Sequence, residues 1–136
     1  MKPYMLETNI CSYIMRRDET VFRRFTEKVR AGAKIVVSVV AYAELVYGSR
    51  LPKAPKRIRF ALEELVSGLD GILTLNATTA DLAGDIQHAL WKSGTQIGYK
   101  DALIAAHAIT ANCICVTNNT REFARVPGLA LENWAA

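Results

Sequence analysis

Glycine and proline are scarce, 8 and 4 of 136 residues, which excludes a collagen-like or linker-like chain. No Gly-rich phosphate-cradling loop is present. Cysteine is rare and odd in number, and the step from Cys113 to Cys115 is neither zinc-knuckle nor thioredoxin spacing. On a strand that step puts both thiols on one face, where small hydrophobes fit, so all three cysteines are read as reduced thiols of a cytoplasmic protein. Long hydrophobic runs are missing as well. The apolar stretches near 35–47 and 102–116 are too short for a bilayer span, and Glu44 and His107 sit inside them. Glu7 and Asn9 interrupt the only early apolar stretch, so neither a signal peptide nor a membrane role is expected.

What is present is an ordinary globular composition, 51% hydrophobic and 22% charged, which excludes disorder. The length fits one domain over residues 1–136, large enough to fold without disulfides. Net charge is +4, and it is unevenly spread. Residues 1–60 hold 13 Lys/Arg and 5 Asp/Glu, whereas residues 61–136 hold 4 and 8. A basic half points to a polyanionic partner, although many proteins are this asymmetric without one.

Apolar residues come in two rhythms. Short Val/Ile-rich runs at Pro3–Leu6, Lys34–Ser38, Gly71–Leu75 and Cys113–Thr117 have the density of buried parallel strands. Helical periodicity occupies 18–30, 57–69, 79–91 and the almost wholly apolar 101–111, and a further helix after the second strand carries Glu44. Leu51–Lys56 and Ser93–Lys100 read as loops. Strand alternating with helix predicts an α/β fold with a central parallel sheet.

Ligands of such sheets bind beyond the carboxyl ends of the strands. The polar residues there are Glu7-Thr8-Asn9, Ser38 with Glu44 beyond it, Asp101 and Thr117-Asn118-Asn119. Each has a bland reading. Asp101 fits a helix N-cap, Glu44 the surface stripe of an amphipathic helix, and Glu7 and Asn118-Asn119 ordinary turns. Together they are costly. Clustered carboxylates without basic partners repel each other unless a hard divalent cation such as Mg²⁺ neutralises them. With the basic half as a phosphodiester holder, this chemistry points to a metal-dependent phosphodiesterase.

Four ordered segments carry a family resemblance: Tyr4-Met5-Leu6-Glu7-Thr8-Asn9-Ile10, Ser38 with Tyr42-Ala43-Glu44-Leu45-Val46-Tyr47-Gly48, Gly94 through Ala108, and Val116-Thr117-Asn118-Asn119-Thr120-Arg121-Glu122-Phe123. The tail from Val126 to Trp134 also fits. The chain resembles the PIN-domain ribonucleases of the VapC type, toxins of bacterial type II toxin–antitoxin modules. The resemblance implies a three-layer α/β/α sandwich and an endoribonuclease dependent on Mg²⁺ or Mn²⁺. It further implies cleavage of RNA such as tRNA, initiator tRNA included, leaving 5′-phosphate and 3′-hydroxyl ends. The implied partners are a second copy of the chain and a VapB-type antitoxin, which alone reaches operator DNA. By the same resemblance Glu7, Glu44, Asp101 and Asn119 form the catalytic set, with the first three on the metal. Thr8, Asn9, Ser38 and Thr117 then orient the acids and a bound water.

One position departs from the family pattern. Glu7 stands where the family has Asp, and the extra methylene moves the carboxylate by roughly 1.5 Å. A misplacement of about 1 Å can cost on the order of a hundredfold in rate. The chain is therefore read as a ribonuclease weakened or inactivated at this residue. The alternatives are an impaired module that only binds RNA or antitoxin, and a small-molecule phosphatase. Candidate RNA contacts are Arg16, Arg17, Arg23, Arg24, Lys28, Lys53, Lys56, Arg57 and Lys100, each also readable as a solvated surface charge. His107 reads as a hydrogen-bonded core histidine before a catalytic base, His88 as exposed, and Trp91 and Trp134 as packing anchors. The apolar faces of 18–30 and 57–69 mark a partner surface.

Overall fold

A computed structural model describes residues 1–136. Its strands are β1 (Tyr4–Leu6), β2 (Ile35–Ser38), β3 (Gly71–Leu73), β4 (Ile114–Val116) and β5 (Leu131–Glu132). Its helices are α1 (Thr8–Met15), α2 (Glu19–Arg30), α3 (Val39–Ser49), α4 (Lys56–Gly68), α5 (Ala77–Lys92), α6 (Tyr99–Thr110) and α7 (Thr120–Phe123). The sheet is parallel throughout in the order β3-β2-β1-β4-β5. Helix α1 packs on α2, α3 and α4, while α5 packs on α6, which gives the expected α/β/α layering.

The strands are short; the three central ones, β2, β1 and β4, are largely buried, as the Val/Ile runs require, and the edge strands β3 and β5 are half-buried. β1 is buried along its whole length, as is β2. Register pairs Tyr4, Met5 and Leu6 with Ile35, Val36 and Val37 on one side and with Ile114, Cys115 and Val116 on the other. Trp134 closes the core at the C-terminus. Its ring lies 5.4 Å from that of Tyr4, and its Nε1 donates to Glu132 Oε1 at 3.0 Å. Helix α2 stops where Gly32 takes φ +82°, a turn that glycine makes without strain.

The structure corrects several boundaries. β3 ends at Leu73 rather than Leu75, and α6 begins at Tyr99, inside the expected 93–100 loop. β5, α1 and α7 were not anticipated as elements. Trp91 is not a packing anchor: it is 60% exposed and stacks on His88 with centroids 6.0 Å apart. Trp134 is buried, as read. All three cysteines are free and buried. No helix is long and apolar enough to cross a membrane.

Strand order reverses at β1. The chain winds from β1 outward through β2 to β3, then returns to lay β4 on the other side of β1. The crevice beyond the ends of β1 and β4 is the switch point at which such sheets bind ligands.

Candidate active site

Glu7 sits at that switch point. It follows β1, its N–H closes the ladder on Val116 O at 2.9 Å, and it is the N-cap of α1. The side chain is only 6% exposed, and both oxygens are engaged. Oε1 accepts from Thr117 Oγ1 at 2.7 Å, directly across the β1–β4 switch. Oε2 accepts from the Asn9 N–H at 3.2 Å. Burial raises the Glu7 carboxyl above its ordinary range, and nearby Glu44 adds to this, while the Thr117 bond opposes it.

Glu44 comes from the second turn of α3. Its Oε1 accepts from Thr8 Oγ1 at 2.8 Å and its Oε2 from Lys100 Nζ at 2.6 Å. Lys100 is exposed, and Glu44 holds its ammonium above the ordinary lysine value. Asp101 comes from the first turn of α6, which runs antiparallel to β4 and so starts at the same edge of the sheet. It is not the N-cap: that position is Gly98. Asp101 is raised from 3.8 to about 6, first by burial, then by Glu7, Glu122 and Glu44, with Lys100 opposing.

Glu122, on the single turn of α7, is the residue the sequence reading passed over. It lies within the quoted fourth segment, three residues past Asn119. One helical turn brings residues three apart to the same face, so that spacing was the available signal. Asn119 itself caps α7 without a side-chain bond, and its N–H donates to Thr117 Oγ1 at 2.9 Å. Thr117 thereby ties the α7 turn to Glu7.

The supporting residues divide. Thr8 and Thr117 orient the acids directly. Asn9 does so through its backbone, while its Oδ1 accepts from the Asn118 N–H at 3.3 Å. Ser38 touches no carboxylate. Its Oγ caps α3 at Val40 N (3.2 Å) and meets His107 Nδ1 at 2.8 Å. His107 is buried, and burial lowers its pKa, so it is a neutral core histidine set away from the acids.

The basic candidates also divide. Arg17 pairs with Glu64 at 3.2 Å, Arg23 approaches Glu27 at 3.9 Å, and Arg24 Nη1 donates to the Asn133 carbonyl at 3.0 Å. Lys28 lies over the Tyr4 ring, at the opposite end of β1 from Glu7. Lys53 is exposed on the α3–α4 connection, and Lys56 and Arg57 are exposed on the first turn of α4. Of these candidates, Lys100 alone contacts a site carboxylate.

A PIN domain family model matches residues 4–129. Ribonuclease VapC2 of Rickettsia felis is 37% identical over 96% of this chain and 97% of its own length. The tRNA(fMet)-specific endonuclease VapC of Shigella flexneri is 39% identical over 99% and 100%. The chain belongs to the PIN-domain family, among the VapC ribonucleases. This VapC-family chain also matches the crystal structure of VapBC2 from Rickettsia felis bound to a promoter DNA fragment, with TM-score 0.85 and 36% identity over 96% of this chain and 98% of that one.

The donor set of this PIN domain fits a hard divalent cation. Every group at the edge is an oxygen donor, and the acids outnumber their one lysine partner. The softer ligands are withdrawn, since His107 is bound to Ser38 and burial raises the Cys11 and Cys115 thiols. The acids do not form a ready cage, however. No three metal-binding side chains converge, because Glu7 and Glu44 point their oxygens at protein donors.

Proposed function

We propose that this chain is the toxin of a type II toxin–antitoxin pair, an endoribonuclease that cuts tRNA, initiator tRNA included, with Mg²⁺ or Mn²⁺. The observation that carries this reading is the placement of Glu7, Glu44, Asp101 and Glu122, from four chain segments, near enough to one another on one sheet edge that Asp101 is raised to about 6. Such repulsion suits a site built to receive a cation and a phosphodiester. The relatives named ribonuclease and tRNA(fMet)-specific endonuclease support the same reading.

In this mechanism Glu7, Glu44 and Asp101 would hold the ion, with Glu122 and Asn119 completing the edge. When bound, the ion would supply an activated water and neutralise charge on the phosphate. Thr117 holds the Glu7 carboxylate, and Thr8 holds that of Glu44. Lys100 neutralises Glu44 in this conformation and, on release, is free to contact a phosphate oxygen. No histidine or cysteine moves a proton. The test is cleavage of purified initiator tRNA beside an elongator tRNA. Preferential cutting of the initiator, abolished by Glu44→Ala, is expected; cutting of neither tRNA by a properly folded Glu7→Asp chain would remove the assignment.

The antitoxin surface is read from helix faces. Ile14, Met15, Phe22, Phe25 and Leu65 line a hollow of about 180 Å³ where α1, α2 and α4 meet. An apolar antitoxin segment would fill it. The VapBC complex among the structural relatives supports an antitoxin as the partner. Ala61→Glu, at the rim of the hollow, is expected to weaken antitoxin binding by about thirtyfold, the scale of one interface hot spot. Calorimetric titration checks this, and unchanged affinity would move the antitoxin elsewhere. The toxin is also proposed to act in the cytoplasm as a homodimer that reaches operator DNA through the antitoxin.

A further inference from the structure

A groove leaves the acidic site on the side of α3 and α4. Its first part, about 370 Å³, is lined by Thr8, Ser12, Arg16, Glu44, Gly48 and Ser49. Ser49 and Ala54 are shared with a second hollow of about 400 Å³, lined also by Arg50, Lys56 and Arg59. The two hollows adjoin at Ser49 and Ala54, and together they lead as a track from Glu44 toward a cluster of cations.

Two features show that the track is kept open and positive. Gly48 lies in the last turn of α3, where glycine still holds the helix less firmly than alanine. Packing does not require it, because a Cβ at Gly48 would meet nothing within 4 Å. The volume a side chain would fill is groove. The cations, moreover, are unspent. Arg16, Arg50, Lys56 and Arg59 form no ion pair within the chain, although Glu63 lies one turn beyond Arg59. Arg16 is pre-oriented, with its Nε donating to Ser12 O at 3.3 Å and its guanidinium over the Tyr13 ring, which leaves its other donors free.

We propose that this groove seats the sugar–phosphate backbone of the RNA strand on one side of the cleaved bond, with Arg16 nearest the acids and Arg50, Lys56 and Arg59 on the phosphates beyond. The proposal rests on the ribonuclease reading and assigns it a strand path. The path fixes the route, on which the strand passes over Gly48 and along the α3–α4 connection to the first turn of α4. Contacts of this type position RNA without reading its bases.

The experiment measures binding of a short labelled oligoribonucleotide by anisotropy, in EDTA, across a salt series. It compares the parent chain, the triple variant Arg50→Ala, Lys56→Ala, Arg59→Ala, and Gly48→Met. Hydrolysis of bis(4-nitrophenyl) phosphate with Mn²⁺, which reaches only the acids, is followed in parallel. For the triple variant the slope of log affinity against log salt is expected to fall by about 2, at roughly 0.7 per phosphate contact. Gly48→Met is expected to bind roughly tenfold more weakly by excluding the backbone, and to melt no lower than the parent. Small-diester hydrolysis stays unchanged in both. A parent that binds RNA, with variants matching it in affinity and slope, would overturn this inference alone. A parent that binds no RNA would overturn the ribonuclease reading and the inference with it. Variants that lose antitoxin binding but keep RNA binding would give the groove to a protein partner and overturn the proposal.

Discussion

Asp101→Asn is expected to abolish cleavage and, at the same time, to stabilise the protein above pH 6. Asp101 is raised from 3.8 to about 6 in the folded chain, mainly by burial and then by Glu7, Glu122 and Glu44. A carboxyl with a raised folded pKa costs nothing below its unfolded value, where both states are protonated. The cost grows as pH rises from about 4 to about 6 and is constant above that. A shift of this size corresponds to less than 3 kcal/mol, and because solvent screens this partly exposed group, a net cost of about 1 kcal/mol is expected. Removing the charge should therefore raise the melting temperature by about 3 °C at pH 8 without metal. At pH 4 the two chains should melt together. The parent should gain stability from added Mn²⁺ and the variant much less, since a ligand that binds only the folded state stabilises it. Cleavage should fall by on the order of a thousandfold. A variant that melts at or below the parent at pH 8, or that still cuts, would separate Asp101 from the acidic site.

Glu7→Asp is expected to raise turnover by on the order of a hundredfold, the scale at which misplacement of about 1 Å is felt. Glu7 lies near enough to Glu44 and Asp101 to feel their charge, but its oxygens are taken by protein donors. Oε2 takes the Asn9 N–H and Oε1 the Thr117 hydroxyl. Glu7 thus spends both oxygens as a helix cap and a strand-to-strand clasp. Aspartate is the better N-cap residue. The shorter acid at this position, where VapC-type sequences are expected to carry Asp, frees a carboxylate edge for the ion. Metal affinity, measured by titration, should tighten in step with turnover. Equal rates for the two chains would mean that the longer acid is tolerated.

Four of the five strands were legible in the sequence because burial on both faces leaves continuous Val/Ile runs, as at Ile35–Val37. β5 was not, because two residues carry no periodicity; Leu131 and Glu132 are a strand only through their bonds to β4. α1 was hidden for a different reason. It starts directly at Glu7, and its buried residues Ile10, Cys11 and Ile14 continue the apolar run of β1. The edge of the sheet was readable from strand ends, so Glu7, Glu44 and Asp101 could be placed on it. Their hydrogen bonds were not readable. Ser38 sits beside the acids in chain order yet serves α3 and His107, and Lys100 closes on Glu44 across 56 positions. Glu122 was missed because the acid lies on a one-turn helix that only tertiary packing fixes. Arg17 and Arg24 looked like free cations because their partners, Glu64 and Asn133, are known only from the fold, whereas the Arg23–Glu27 pair, one helical turn apart, was readable from its spacing.

Metal-dependent cleavage at the carboxylate edge is tested most directly by the chemistry of the RNA ends left by the Glu7→Asp chain on purified tRNA, with divalent metal and with EDTA. Metal-dependent cuts bearing 5′-phosphate and 3′-hydroxyl ends are expected, lost in EDTA and in Glu44→Ala. Cuts that persist in EDTA and leave 2′,3′-cyclic phosphate would contradict it, because they would come from side-chain acid–base chemistry on the 2′-hydroxyl and not from the carboxylate edge of the sheet.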